Sequence, residues 1–288
     1  MRRPTTYTCP GILTHSPSQH DRRRCLAGCV SGDQTFAAAS IVLFQLTAEI
    51  YMPPRAALYS TLLMATFPYI LVFTTLGYSE AVFFFATISA WYFYKRGKLP
   101  ISAALAGLAS ITRIYGIIIL LPVLLNMWRA KKINLYYFIA PVAMLAAWGL
   151  YCFISVGDAL ASLTEESAWI QSGVNYGLVP SILYQDFHAL LSNYGFDPAV
   201  LFAVALLPFL ILRVWDVDRS LFAYTVTLFV MLILTAPVMS LLRYTSFIFP
   251  IWLTARVKNA WVTVLCMALF IPFALALWFY ALTTYFIG

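Results

Sequence analysis

Three charged side chains stand in stretches that are otherwise fit for hydrocarbon. Glu80 follows Tyr78 and Ser79, Arg113 sits in the run Thr112-Arg113-Ile114-Tyr115-Gly116, and Arg243 precedes Tyr244. An ionised group in such surroundings is costly unless it is paired or reaches water, so each of the three demands a partner. Guanidinium groups present a planar donor fork that matches phosphate oxygens and stays charged under burial. A carboxylate beside them can hold hydroxyl groups, orient an arginine or take a proton. Together these residue types suit a lipid-phosphate site. On a plainer reading, Glu80 and Arg113 form a structural ion pair and Arg243 snorkels from a helix end.

Composition sets the solvent for any such chemistry. The 288 residues are 62% hydrophobic and only 10% charged, against about 25% charged in a typical soluble domain. That balance predicts an all-α, polytopic membrane protein. The many aromatic residues read as packing and interfacial anchors rather than cofactor boxes, and no cofactor is expected. The net charge of +7 is unevenly spread: five arginines against Asp21 give residues 1–32 a charge of +4. Most of the remainder lies in short basic turns, a pattern that orients membrane spans and argues against a nucleic-acid partner. Cys9, Cys25 and Cys29 with His15 and His20 match no standard zinc spacing, so no metal is expected. Cys152 and Cys266 fall in apolar spans and read as packing residues.

Positioning the three charges falls to the apolar segments. Residues 1–35 are rich in Arg, Ser, Pro, Thr and His without an apolar period, which predicts a disordered tail. Residues 36–288 are predicted to form a membrane domain of about eight to ten segments, given that a span takes ~20 residues. A short run over Phe36–Ile50 is followed by Ala56–Leu76, kinked at Pro68, and by Tyr78–Tyr94, closed by Lys95, Arg96 and Lys98. Ile101–Trp128 has basic turns at both ends. Either it goes out and returns, with Arg113 and Gly116 near the far face, or it is one long helix with Arg113 at its middle; the first is preferred. Asn134–Ser155 leads out to the polar stretch 156–198, free of Lys and Arg and predicted as a non-cytoplasmic loop. Segments over Ala199–Leu212, Leu221–Val238, Ser246–Leu253 and Ala260–Phe286 complete the chain. On this topology Glu80, Arg113 and Arg243 share one face.

Tyr78-Ser79-Glu80 at the start of a span, Thr112-Arg113 with Gly116, and Arg243-Tyr244 leading into Phe249-Pro250 resemble the PIG-V family. These are membrane mannosyltransferases of the GT-C type, similar to the second mannosyltransferase of GPI-anchor biosynthesis. The resemblance covers roughly residues 40–255. It implies a GT-C-like helical bundle and a polyprenyl or dolichyl phosphate mannose donor, used on the non-cytoplasmic side without a nucleotide sugar. It also implies a multi-pass location, in the endoplasmic reticulum membrane of a eukaryote or the cell membrane of a prokaryote. Substrate binding is carried over to Tyr78, Ser79, Glu80, Thr112, Arg113, Gly116, Arg243 and Tyr244. The implied partners are membrane lipid and the phosphate-linked sugar donor, with a partner subunit where one supplies the acidic loop.

That loop is the point of departure. The family carries an acidic motif between its first and second spans, where the catalytic carboxylate is expected, and here Asp33 is the nearest acid without the expected surroundings. The expectation is a chain incomplete at its N-terminus or a non-catalytic descendant. Glu80 is then the remaining candidate for the base, with orientation of Arg113 as its favoured role. Two other classes stay open: a lipid-phosphate-binding or transport membrane protein, and a scaffold subunit of a transferase complex. The sequence has no internal repeat of the kind that many transporter folds carry.

Overall fold

The computed structural model describes residues 19–76, 78–161, 207–235, 238–257 and 259–284. Every regular element among them is a helix, as the composition predicts. Residues 1–18 of the predicted tail and all but the first few residues of the predicted loop at 156–198 lie outside the described residues.

Helix α1, Gln19–Ala48, starts inside the stretch expected to be disordered. Residues 19–35 of that stretch are helical here. Once the apolar part of a helix has nucleated, each further residue costs little, and the Arg, Ala and Gln residues here are good helix formers. Helices α2, Pro54–Thr66, and α3, Pro68–Phe73, divide the segment predicted as one kinked span. Phe67 between them is extended, with φ −61 and ψ 129. A residue preceding proline is pushed out of the helical region, so Pro68 ends one helix and opens the next.

Helix α4, Glu80–Lys95, is the centre of the molecule: Glu80, Phe84, Ile88, Ala90 and Trp91 are all buried. It turns at Gly97, whose φ of 73 suits a residue without Cβ, into α5, Leu99–Thr112, which packs along it. Ser102 of α5 donates to the Ala90 carbonyl at 2.5 Å and also meets the Tyr137 hydroxyl at 2.8 Å. Tyr137 belongs to α7, Tyr136–Val156. A Cβ on Gly107 would overlap the Met144 side chain, so α5 and α7 approach closely there.

After α5 the helix breaks. Arg113 is extended, with φ −147 and ψ 134, and a 3-10 turn over Ile114–Ile119 leads into α6, Leu120–Arg129. Helices α8, Leu207–Val214, and α9, Arg219–Thr235, follow the undescribed stretch. Then come α10, Val238–Ser246, the short α11, Phe249–Trp252, and α12, Ala260–Thr284.

Both basic turns lie at one end of the molecule. Lys95 pairs with Asp218 at 2.9 Å, while Arg129 donates to Ser220 at 3.1 Å and Ser220 donates to Asn126 at 3.0 Å. Asp218 also caps α9 by accepting from the backbone N–H groups of Ser220 and Leu221. Tyr51 donates to the same carboxylate at 3.3 Å and accepts from Trp91 at 2.9 Å. Burial, together with the Asp218 charge, holds the Tyr51 hydroxyl well above its ordinary range, so it stays a donor. With Lys95 and Arg129 tied to neighbouring residues of one turn, the chain from 99 to 129 goes out and comes back, and the single-long-helix alternative is excluded.

Two helices, Tyr136–Val156 and Ala260–Phe279, are long and apolar enough to cross a membrane. Only 11% of each is buried, which distinguishes them from the core helix of a soluble protein. Such continuous exposed apolar surface points to membrane association.

Candidate functional site

The end of α4 opposite Asp218 gathers the three charges. Glu80 is the first residue of α4, where the partial positive charge at the start of a helix favours a negative charge. Its side chain is 1% exposed. Arg113 reaches it from the break after α5, its Nη2 lying 2.7 Å from Oε1. Arg243 reaches it from α10, donating to the same oxygen through Nε at 2.7 Å and Nη2 at 2.6 Å. Three segments far apart in sequence thus converge on one carboxylate oxygen.

The break that delivers Arg113 depends on its glycine. The Gly116 N–H donates to the Arg113 carbonyl at 2.7 Å, folding the turn back on α5. A Cβ at Gly116 would overlap the Ala109 carbonyl, so the close approach is open only to glycine. Arg113 is 18% exposed in its side chain, against 8% for Arg243.

Aromatic rings hold the guanidinium groups. Arg243 lies 4.2 Å from the Phe73 ring centre and 4.3 Å from that of Tyr78. Tyr244 sits beside both arginines, 4.7 Å from Arg113 and 5.4 Å from Arg243. Stacking of this kind adds about 0.5–2 kcal/mol per contact, more when desolvated. Among the described residues the cluster sets one carboxylate against two guanidinium groups in a largely buried setting.

A cavity of about 20 Å³ lies beside the cluster, lined among others by Glu80, Arg113, Tyr115, Tyr244 and Phe247. Arg243 is not on its wall. Of the eight residues proposed from sequence, Tyr78, Glu80, Arg113, Arg243 and Tyr244 come together. Ser79 is exposed, Thr112 bonds the Leu108 carbonyl of its own helix at 2.7 Å, and Gly116 acts through the backbone. Sequence reasoning missed Phe73, Tyr115 and Phe247. The only signal available was the position of Tyr115 two residues after Arg113, because an aromatic residue in aromatic-rich sequence does not stand out.

No protein-family model, curated protein or solved structure matches this chain at a significant level.

Proposed function

We propose that this chain is a membrane glycosyltransferase that moves mannose from a polyprenyl or dolichyl phosphate donor to a lipid-linked or membrane acceptor on the non-cytoplasmic face. The reading includes a GT-C-like bundle of about eight to ten membrane segments, lying in the endoplasmic reticulum membrane or the cell membrane. One observation carries it: two guanidinium groups from distant segments converge on a single buried carboxylate beside a cavity. A phosphate fits the fork geometry of arginine, and guanidinium groups keep their charge in such buried surroundings.

The chemistry would be an inverting displacement. The acceptor oxygen forms its bond to the anomeric carbon while the bond from that carbon to the phosphate oxygen breaks. The acceptor proton passes to a general base and the lipid phosphate departs with the bonding electrons. The sugar carbon gains oxocarbenium character, as in glycoside hydrolysis. Arg113 would stabilise the charge growing on the leaving phosphate, an electrostatic contribution that exists before the reaction starts. Glu80 orients Arg113 through its 2.7 Å bond.

A second reading, a lipid-phosphate-binding or transport protein or a scaffold subunit, is favoured by a different observation. Among the described residues Glu80 is the only carboxylate on the cavity wall, and both arginines bond it. The two readings separate in a transfer assay on the full chain in proteoliposomes with labelled polyprenyl phosphate mannose. Transfer that disappears in Arg113→Ala, with membrane insertion intact, supports the enzyme. Donor binding without transfer supports the second reading. Full turnover in Arg113→Ala would remove the phosphate role.

A further inference from the structure

The end of the molecule away from Glu80 carries a cationic face. Lys95 meets Asp218 and Arg129 meets Ser220, which joins the turns 95–98, 129–132 and 213–219. They hold eight basic side chains against Asp216 and Asp218 alone, an excess of six. Apart from Lys95 and Arg129, the cations are Arg96, Lys98, Lys131, Lys132, Arg213 and Arg219. All six are exposed, and none has a carboxylate partner among the described residues. Several lie back on aromatic rings: Arg96 on Tyr92, Arg213 on Phe209 and Arg219 on Trp215, each 5.2 Å from the ring centre.

The backbone at Lys131 is a second observation. Lys131 follows Ala130, the cap of α6, with φ 52, a left-handed conformation that glycine adopts freely and other residues seldom do. The corresponding turn after α4 does place a glycine there, Gly97. A strained backbone is thus tolerated where it keeps a cation on this face.

What borders the charges selects the partner. Trp128, Trp215 and Tyr136 are exposed beside the three turns, and rings of this kind settle at headgroup depth. Tyr136 opens α7, whose apolar surface is almost wholly exposed. A soluble polyanion would neutralise the cations and leave that apolar surface bare, whereas a lipid leaflet covers both. We propose that this face binds anionic phospholipid headgroups of the leaflet in which the Asp218 end sits. Such binding is independent of the chemistry at Glu80 and holds equally in a chain that transfers no sugar.

The test titrates fluorescent phosphatidylglycerol, or phosphatidylcholine with the same label, against the full chain in neutral detergent micelles and follows anisotropy. Each basic side chain near an anionic surface strengthens association roughly fivefold, so wild type should prefer phosphatidylglycerol by at least ~10-fold at low salt. The preference should shrink as salt screens the exposed charges. Lys131→Gly should weaken phosphatidylglycerol binding about fivefold without lowering the unfolding midpoint. A purely structural lysine would not give that result, because glycine relieves the turn. Joint replacement of Lys98, Lys132 and Arg213 by glutamine should bring the two lipids level. If that variant fails to fold, the wild-type preference and Lys131→Gly decide. Equal binding of both lipids by wild type overturns the assignment, as does a preference lost only when Arg22, Arg23 and Arg24 are replaced. Unchanged binding in both variants of the face overturns it too. Displacement of phosphatidylglycerol by a single-stranded oligonucleotide at the same phosphate concentration would make the partner a soluble polyanion and overturn the lipid.

Discussion

At the scale of the residue, one carboxylate decides how two arginines are used. Removing one member of a buried ion pair leaves an uncompensated charge and costs about 3–5 kcal/mol. Glu80→Ala strands two guanidinium groups against each other, so its unfolding midpoint in detergent should fall by that measure. Ser79→Ala, one residue earlier and exposed, should stay within about 0.5 kcal/mol of wild type. The vacated Glu80 position gives a sharper test. In Glu80→Ala, added inorganic phosphate should restore part of the lost stability by binding the folded form between the arginines, whereas chloride at equal ionic strength should restore less. No difference between the two salts would show that these guanidinium groups do not select an oxyanion.

At the scale of the element, the site depends on two helix interruptions. Gly116 lets the 3-10 turn lie on the Ala109 carbonyl, and this contact aims Arg113 at Glu80. Gly116→Ala should therefore push the turn off α5 and weaken phosphate-lipid binding together with stability. Gly97→Ala strains only the positive φ of a turn at the other end of α4 and should lower stability while leaving binding intact. Loss of binding in both variants would mean that the glycine contact is not what positions Arg113. The sequence reading left two courses for residues 101–128, because basic turns at both ends fit a hairpin or a tilted rod. What separates them is the pairing of Lys95 and Arg129 with Asp218 and Ser220, more than ninety positions away from Arg129's own segment in the second case. Long-range polar pairs leave no local periodicity to read. The break at Pro68 was legible only as a kink, since proline marks the spot but packing decides whether the helix resumes in line. Glu80, Arg113 and Arg243 were legible because a charge in apolar sequence is conspicuous; Phe73 and Tyr115 were not, because their neighbours are equally aromatic.

At the scale of the whole molecule, α4 separates two polar ends that differ in kind. One is a capped and paired network around Asp218, the other a buried cluster of two arginines around Glu80. The helix has 16 residues, about 24 Å at 1.5 Å per residue, which is a little less than the ~30 Å hydrocarbon thickness. A bilayer enclosing α4 would thus put its two ends in opposite interfacial layers. Helices α7 and α12, with 11% of each span buried, supply the outward apolar surface such a setting needs. The expected outcome is directional. In a cysteine-free background reconstituted in oriented vesicles, Lys98→Cys and Lys131→Cys should react with an impermeant maleimide from one side. Ser79→Cys and a cysteine placed within the 156–198 loop should react only from the other. All four positions reacting from the same side would mean that α4 lies along the membrane rather than through it, and the cluster at Glu80 would then face the compartment of the basic turns.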